Sequence, residues 1–457
     1  MRERRLFLIL VDLLFINLAV VIAFAVWSLR GEKEFDALIA TQWFWFALLS
    51  ALWIGFESVT GLYDLRVAGN FDATTRALFQ TFLLVLSAYL AIFFIVPTEL
   101  PRGIVVYHGI ASVALIALWR AAFIRFGARL PFRRRALIVG AGGAGEMIAR
   151  VLRGEFHAHY EIAGFIDDDA RKRGQTIQDL RVLGTHRDLV QLAREHRAAE
   201  IILAVTHNVS DELFRALLDA QEAGIEIVPM PVLYEQIAGR VPVQHIGESW
   251  YIALPLAHAA MRGLFPYFKR ALDLVAAVAG LLLFAVLLPV IALALEIDSR
   301  GAVFFAQDRV GRGGKIFRVH KLRTMIPNAE RAGEAVWASE DDPRITRVGK
   351  FLRRTHLDEF PQFWNILRGE MSLVGPRPER PEIVAQLEKQ IAFYRLRHAI
   401  KPGISGWAVV NAGYVDSVAA ARVRVEYDLY YIKHQSLWLD LWIVLRTVAQ
   451  VLTLKGR

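Results

Sequence analysis

Long apolar runs open the chain and give way to mixed, patterned segments. Four runs occupy residues 6–29, 42–62, 77–96 and 104–124. Each has about the 20 residues that a helix needs to cross the hydrocarbon core of a bilayer. Several arginines precede the first run and follow the fourth, whereas Arg102 is the only basic residue in the loop after the third run. Because positively charged loops stay in the cytoplasm, both ends of this predicted bundle should face the cytoplasm.

A soluble α/β pattern follows the fourth run. A short apolar strand at residues 136–139 leads into the glycines Gly140, Gly142 and Gly145, which open a helix. The next strand ends at Asp167, about where a Rossmann fold places its ribose-binding acid. The segment is therefore a candidate site for NAD or another nucleotide, held at its phosphates by backbone amides. The alternative is a Rossmann-like module whose glycines only permit the tight turn.

A fifth apolar run, residues 271–295, follows Lys269 and Arg270 and is interrupted by Pro289. It is long enough to cross a bilayer, and proline also occurs in true crossings. A fifth crossing, however, would place the basic C-terminal part outside, away from cytosolic nucleotides. A helix broken at Pro289 that dips into the membrane and returns keeps both soluble parts inside. We predict this re-entrant form over residues 269–297.

Composition agrees with an integral membrane protein. Of the 457 residues, 55% are hydrophobic, and the mean hydropathy is +0.36. The net charge is +9, and the basic residues lie beside apolar segments and not in one patch interleaved with aromatic residues. This favours anionic lipids and phosphorylated substrates over nucleic acid as partners. The chain has no cysteine, which excludes disulfides, thiol catalysis and cysteine metal sites.

Two adjacent carboxylates, Asp358 and Glu359, lie among arginines in the C-terminal part. Pro361 is tolerated only in the first turn of a helix and Gly369 can end one, so the pair is predicted at a helix N-terminus. There the amides and dipole should keep a carboxylate ionised, as an attacking group requires. One carboxylate would attack while the other holds Mg²⁺. A capped surface helix is the alternative.

Basic residues on both sides of the acidic pair are candidates for binding a substrate diphosphate. A basic, glycine-rich segment, residues 307–325, precedes the pair, and further arginines flank it. Guanidinium groups match phosphate geometry and offset charge that develops during phosphoryl transfer. The candidate phosphate-binding residues are Arg309, Lys321, Arg323, Arg353 and Arg377.

Several C-terminal segments resemble the bacterial sugar transferases called polyprenyl-phosphate hexose-1-phosphate transferases. The matching segments are KRALDL, QDRVGRGGKIFRVHKLRTM, DPRITRVGKFLRRTHLDEFPQFWNILRGEMSLVGPRPE, KPGISGW and YDLYYI. Residues 264–457 resemble the catalytic domain, and the whole chain resembles the long form, with four membrane helices and a Rossmann-like module first. The chain departs at Leu288, where the family often has serine, and at Val409, where it has glutamine.

The resemblance implies an activity. The family transfers a sugar 1-phosphate from a UDP-sugar to undecaprenyl phosphate, with Mg²⁺, through a phosphosugar bound to the aspartate of the Asp-Glu pair. It implies Asp358 as nucleophile and Glu359 as metal support, and we take both as candidate Mg²⁺ ligands. The expected role is the first membrane step of exopolysaccharide, capsule or O-antigen synthesis, with glucose and galactose as the favoured hexoses.

The expected fold has three parts. A transmembrane α-helical bundle covers residues 1–130, a Rossmann-like α/β domain covers 131–250, and a monotopic α/β catalytic domain with the re-entrant membrane helix covers 251–457. The expected location is the bacterial inner membrane, with the soluble domains cytoplasmic. Expected partners are a UDP-sugar, undecaprenyl phosphate and membrane lipids, with no nucleic acid and with a homodimer as a possible assembly.

Two other functions are compatible with the glycine motif. Membrane-anchored NAD-dependent sugar-nucleotide dehydratases or epimerases also place membrane helices before GxGxxG. They need a Tyr-x-x-x-Lys pair for proton and hydride chemistry, and no tyrosine of this chain has a lysine four residues later. In the other alternative, the Rossmann-like module is a regulatory or oligomerisation element.

Overall fold

The computed structural model describes residues 2–29, 35, 39–40, 43–63, 65–68, 71–95, 102–127, 134–154, 156, 160–206, 209–245, 264–326, 329, 342–412 and 417–452. The chain forms two compact units. The first comprises residues 1–141, 146–201 and 215–227, and the second comprises 142–145, 202–214 and 228–457. The domain boundaries predicted from the sequence, after residues 130 and 250, lie outside the described residues and stay predictions.

Apolar helices open the first unit. They are α1 (Arg2–Ser28), α2 (Phe44–Thr60), α3 (Leu65–Ala68), α4 (Phe71–Ile95) and α5 (Arg102–Gly127). Helices α1, α4 and α5 are long and apolar enough to cross a membrane, and α2 is a shorter apolar helix. Leu14, Phe79 and Leu118 are among their exposed side chains, as expected for helices surrounded by lipid. The prediction of several apolar helices at the N-terminus is confirmed.

Buried charged groups pair on the inner side of these helices. Asp12 of α1 accepts hydrogen bonds from Arg120 and, at 2.9 Å, from Trp119 Nε1 of α5. The side chains of Arg120 and Asp12 are 1% and 0% exposed. Tyr63 donates a hydrogen bond to the fully buried Glu57. Since unpaired charges are costly among apolar helices, the ion pair fixes the register between α1 and α5.

A six-stranded sheet lies after the helices. Its strands are β1 (Arg134–Val139), β2 (Tyr160–Ile166), β3 (Thr176–Ile177), β4 (Leu180–Gly184), β5 (Glu200–Leu203) and β6 (Glu226–Pro229). Their order is β3-β4-β2-β1-β5-β6, with β1–β2 and β2–β4 parallel. The helices between them are α6 (Gly143–Gly154), α7 (Leu189–Glu195) and α8 (Asp211–Glu222). A central first strand with crossover helices is the Rossmann-like arrangement that the sequence predicts.

The second unit continues with helices and two small sheets. The helices are α9 (Met230–Ala238), α10 (Phe265–Asp298), α11 (Arg347–Arg354), α12 (Gln362–Arg368), α13 (Pro381–Gln390), α14 (Trp407–Asn411), α15 (Val418–His434) and α16 (Leu437–Leu452). An antiparallel hairpin joins β7 (Phe304–Val310) to β8 (Ile316–Leu322). A short parallel pair joins β9 (Ser372–Val374) to β10 (Gly403–Ser405).

Helix α10 packs on this unit at both of its ends. It is one helix of 34 residues with Pro289 inside it. Near its start, Arg270 donates hydrogen bonds of 2.7 and 2.9 Å to carbonyl oxygens at the end of α12. At its last residue, Asp298 accepts a hydrogen bond of 2.9 Å from the Val348 amide of α11. Between these contacts, apolar side chains such as Val286 are exposed.

The close approach of α10 to α12 depends on Gly280. A Cβ atom on Gly280 would lie 2.5 Å from the ring of Phe363, well inside van der Waals contact. We expect Gly280→Ala to lower the free energy of unfolding of this unit by about 1–3 kcal/mol, because overpacking forces the ring or the helix to move. The measurement is thermal unfolding of the full chain in detergent.

The matched control is Gly55→Ala in α2, where a Cβ atom meets nothing within 4 Å. Both substitutions lie inside helices, so the intrinsic helix preference of alanine acts equally on both. The Gly280 variant should therefore unfold at a lower temperature than the Gly55 variant. Equal unfolding temperatures would show that α10 does not pack on Phe363.

Candidate active site

The acidic pair lies in a buried turn directly before α12. Residues Leu357–Glu359 form one turn of 3-10 helix. Asp358 is 7% exposed and Glu359 is 6% exposed. Helix α12 follows Pro361 and ends at Gly369, whose φ of 83° is in the left-handed region. The helix begins and ends where Pro361 and Gly369 predicted, and the acidic pair lies in the turn just before it and not in its first turn.

Two cations bind Glu359. Lys321 Nζ of β8 donates a hydrogen bond of 2.7 Å to Oε1, and Arg377 donates to both carboxylate oxygens. Burial alone would raise the pKa of Glu359, but Arg377 and Lys321 hold it well below its usual range. Glu359 is therefore ionised and fixes both cations next to Asp358.

The side chain of Asp358, in contrast, has no hydrogen bond or ion pair with any residue that the structure describes. Burial, followed by the charge of Glu359, raises the pKa of Asp358 to about 6, against the attraction of Lys321, Arg353 and Arg377. Desolvation therefore outweighs any lowering by the local amides. At neutral pH the carboxylate is still mainly ionised, and it has no partner to block an attack.

His356 lies between α11 and the acidic turn in a left-handed conformation. Its φ is 56°, which is uncommon for a residue other than glycine. The imidazole is half-buried, and burial lowers its pKa, assisted by Arg377 and Lys321 and opposed by Glu359. This residue was not predicted from the sequence, since no residue pattern marks a left-handed histidine. Strained backbone of this kind is concentrated at functional sites.

Arg377 is carried by the clamp loop, residues Gly375–Glu379. The Gly403 amide donates a hydrogen bond of 3.0 Å to the carbonyl of Pro376 in this loop. A Cβ atom on Gly403 would lie 2.1 Å from the nitrogen of Gly375, so only glycine permits this approach. The KPGISGW segment thus fixes the backbone that presents Arg377.

Buried charges fix the clamp loop from another direction. Arg397, which is 3% exposed, donates hydrogen bonds of 3.0 Å to the Arg377 carbonyl and 2.8 Å to Asp428 Oδ2. Glu379, at the end of the loop, accepts a hydrogen bond of 2.8 Å from Arg424. The roles of Arg397, Asp428 and Glu379 were not predicted from the sequence, because their pairing joins residues far apart in the chain.

Two of the predicted phosphate-binding arginines contact backbone. Arg309 donates a hydrogen bond of 3.2 Å to the Pro378 carbonyl. Arg323 donates to the carbonyl oxygens of Leu295 and Ser299, at the end of α10. Both arginines therefore stabilise neighbouring segments in this arrangement.

The remaining three predicted cations converge on the acidic pair. Lys321 and Arg377 bind Glu359. Arg353 donates Nε to Thr324 Oγ1 at 2.9 Å and lowers the pKa of Asp358. A phosphate-binding role for any of the five cations stays a prediction.

The basic pair at the start of α10 binds the same unit. Lys269 Nζ donates hydrogen bonds of 2.7 Å to Asp440 Oδ2 and 3.1 Å to the Val374 carbonyl. Arg270 donates to the end of α12. Both residues predicted to begin the re-entrant helix thus connect α10 to the strand before the clamp loop and to the helix after the acidic turn.

The predicted nucleotide-binding residues are divided between the two units. In the first, Gly140 has a φ of 101°, and Asp167 Oδ2 accepts hydrogen bonds from the Ala141 amide at 2.7 Å and from Lys172 Nζ at 3.0 Å. Gly142 and Gly145 belong to the second. Nucleotide binding stays a prediction.

The buried position of Asp358 predicts a pH-dependent stability difference. Its pKa rises from 3.8 to about 6 on folding, so the folded state favours the protonated form. The contribution of Asp358 to the free energy of unfolding is then fully present below pH 3.8. This contribution is lost as the pH rises through about 6. Asp358→Asn removes this loss. The stability that the substitution adds to the protein should therefore be roughly 2 kcal/mol larger at pH 7.5 than at pH 4.

Thermal unfolding of both proteins at the two pH values measures this difference. The control is Asp219→Asn, an exposed position in α8. The Asp358 variant should gain stability over the unsubstituted protein at pH 7.5 and little at pH 4. A loss of stability at pH 7.5 would mean that the Asp358 carboxylate has a stabilising partner.

Two family models match the chain. The model described as bacterial sugar transferase matches residues 265–454, a range that contains α10, the acidic turn and the clamp loop. The model described as CoA-binding domain matches residues 58–231, which contain the six-stranded sheet.

Relatives match longer parts of the chain. The UDP-N-acetylgalactosamine-undecaprenyl-phosphate N-acetylgalactosaminephosphotransferase of Aeromonas hydrophila is 40% identical over 54% of this chain and 57% of its own length. The UDP-glucose:undecaprenyl-phosphate glucose-1-phosphate transferase of Escherichia coli is 35% identical over 69% of this chain and 67% of its own. The UDP-galactose-lipid carrier transferase of Erwinia amylovora is 29% identical over 99% of this chain and 97% of its own length. The match thus spans little more than half of the Aeromonas relative. This chain belongs to the bacterial sugar transferase family.

Proposed function

We propose that the chain is a membrane phosphoglycosyl transferase that moves a hexose 1-phosphate from a UDP-sugar to undecaprenyl phosphate. The observation that carries the proposal is the buried, unpartnered Asp358 beside a glutamate bound by two cations. The printed names of the relatives include UDP-sugars and undecaprenyl phosphate. Family membership also favours this reaction over an NAD-dependent dehydratase or epimerase. The product would begin the assembly of an exopolysaccharide, capsule or O-antigen.

In the proposed first step, Asp358 is the nucleophile. Its carboxylate oxygen attacks the β-phosphorus of the UDP-sugar, and the bond from that phosphorus to the bridging oxygen breaks, so that UMP leaves with the electron pair. The product is a phosphosugar bound to Asp358. With a pKa of about 6, the side chain is mainly ionised at neutral pH and needs no separate base.

In the second step, an oxygen of undecaprenyl phosphate attacks the same phosphorus. The bond to Asp358 breaks, the carboxylate is regenerated, and the sugar is left on a lipid diphosphate. Because the same aspartate serves both steps, the two substrates use the site in turn.

Lys321, Arg353 and Arg377 would bind the diphosphate and offset the charge on departing UMP. Glu359 already orients Lys321 and Arg377, so their reorganisation cost on substrate binding is small. Lysine and arginine N–H groups not used by Glu359 can point towards the phosphate oxygens.

The donor set fits a Mg²⁺ ion that binds together with the diphosphate. Mg²⁺ is usually held by one or two carboxylates plus substrate phosphates, and Asp358 and Glu359 are the carboxylates that would hold it here. When bound, Mg²⁺ would neutralise charge on the diphosphate. Lys321 and Arg377 compensate the charge of Glu359.

We further infer that α10 enters and leaves the membrane on the same, cytoplasmic side. Contacts of Arg270 and Asp298 with one compact unit support this form, since a crossing helix would separate its ends by the bilayer. Pro289 then lies at the bend. The soluble parts would lie on the cytoplasmic side of the bacterial inner membrane, where UDP-sugars are found.

For the Rossmann-like domain we propose a regulatory or assembly role and no step in the transfer. Asp167, the candidate ribose-binding acid, is engaged by its own loop and by Lys172. NAD or another nucleotide would have to displace these contacts. Assembly as a homodimer belongs to the same proposal.

Release of UMP tests the reaction. The full chain in detergent, with undecaprenyl phosphate and a panel of UDP-sugars, should release UMP with at least one sugar and form a radiolabelled phosphosugar adduct. Asp358→Asn should lower the rate at least about 1,000-fold and abolish the adduct, since the nucleophile is lost. The exposed Asp219→Asn should behave as the unsubstituted protein. Transfer by the Asp358 variant at an undiminished rate would refute the covalent mechanism.

Arg397 is expected to act as a positioning residue through Arg377. Arg397→Lys keeps the charge, but one ammonium group cannot reproduce the fork that reaches both the Arg377 carbonyl and Asp428. We expect kcat to fall roughly 10-fold to 100-fold, because small misplacements of a charge-stabilising group are costly. The KM for the UDP-sugar should change less.

The control is Arg395→Lys, two residues away, where the side chain is 84% exposed. Thermal unfolding of both variants separates positioning from loss of fold. If kcat of the Arg397 variant stayed at the unsubstituted level, the clamp loop would not depend on this contact.

A further inference from the structure

Two cations converge on one point beside the end of α12. A Cβ atom on Gly369 would lie 3.5 Å from Lys401 Nζ and 3.6 Å from Arg270 Nη2. The sum of these distances, about 7 Å, is the upper limit of the separation between the two nitrogens. Like charges this close repel one another, and an anion bound between them would offset this repulsion.

The two cations differ in how they are compensated. Arg270 donates to the carbonyl oxygens of Ile366 and Leu367, which carry the negative end of the α12 dipole. Lys401 has no hydrogen bond or ion pair with any part of the chain that the structure describes. The Lys401 ammonium therefore lacks a counter-charge.

Neighbouring charges increase this deficit. Burial, followed by Arg270 and with additions from Arg312 and Lys269, lowers the pKa of Lys401 against the attraction of Asp273. Asp273 itself is already engaged, because its Oδ1 accepts hydrogen bonds from Ser372 Oγ at 2.9 Å and from the Leu373 amide at 2.8 Å. A bound anion would compensate the positive charge of Lys401, for which the protein supplies no free carboxylate.

This cation cluster lies at the other end of α12 from the acidic turn. Helix α12 has seven residues, which corresponds to about 10 Å at the rise of an α-helix. Arg270 also lies at the start of α10, immediately before its apolar residues. The cluster is thus separate from Asp358 and adjacent to the segment that would enter the membrane.

We propose that Lys401 and Arg270 form a binding site for the phosphate group of an anionic membrane lipid. Basic residues at the entry of a membrane segment attract anionic headgroups, and a phosphodiester with one negative charge matches the single uncompensated ammonium. The bound lipid would hold the start of α10 at headgroup depth. The proposal rests on membrane entry of α10 and is independent of the transfer reaction.

Amine labelling of the full chain tests the site. The protein in neutral detergent is acetylated with an amine-reactive ester, alone or with phosphatidylglycerol, phosphatidylcholine or inorganic phosphate at equal concentration. Mass spectrometry follows Lys401 and, as internal control, the exposed Lys389 of α13. Phosphatidylglycerol should slow acetylation of Lys401 about fivefold and leave Lys389 unchanged, and the other two additions should slow neither.

Equal rates at Lys401 in all four samples would overturn the proposal. Protection by inorganic phosphate as strong as that by phosphatidylglycerol would overturn the assignment to a lipid. Arg312→Gln, at an exposed position of the β7–β8 turn, should weaken protection of Lys401 without lowering the unfolding temperature. Arg395→Gln is the matched control and should keep full protection.

Discussion

The buried ion cluster of Glu359 with Lys321 and Arg377 is the interaction on which the candidate site depends. Its members come from the acidic turn, from β8 and from the clamp loop. A buried carboxylate with a missing cation would be strongly destabilising, so the cluster requires all three segments together. It also makes two adjacent carboxylates unequal. Lys321 and Arg377 form hydrogen bonds with Glu359 and not with Asp358. Their positive charges still lower the pKa of Asp358.

The supporting contacts explain how a short loop can hold Arg377 in place. Hydrogen bonds from Gly403, Arg397 and Arg309 fix three successive carbonyl groups of the clamp loop. The loop therefore has few backbone positions that could shift independently. Arg309, a candidate substrate ligand in the sequence, is part of this support. Lys321, Arg353 and Arg377 are the candidate cations whose charges act on Asp358.

Local patterns in the sequence were sufficient for the elements but not for these contacts. Run length and hydropathy predicted the apolar helices, and Pro361 and Gly369 predicted the start and the end of α12, because these effects act within a few residues. Arg309 and Lys321 have similar surroundings in the sequence, yet one binds a backbone carbonyl and the other binds Glu359. That difference is set by contacts across the fold. The raised pKa of Asp358 has the same origin, since burial depends on segments far away in the chain.

Helix α10 and the acidic turn are linked by direct packing. The ring of Phe284 in α10 lies 6.3 Å from the ring of Phe360, the residue that follows Glu359. Gly280, one turn earlier, lets α10 approach Phe363. A displacement of α10 along the membrane normal would therefore move Asp358 with it, since interiors this closely packed transmit strain. In the proposed reaction a soluble nucleotide sugar and a lipid phosphate must reach one carboxylate. In the proposed membrane-inserted form of α10, this packing would set the depth at which both reach it.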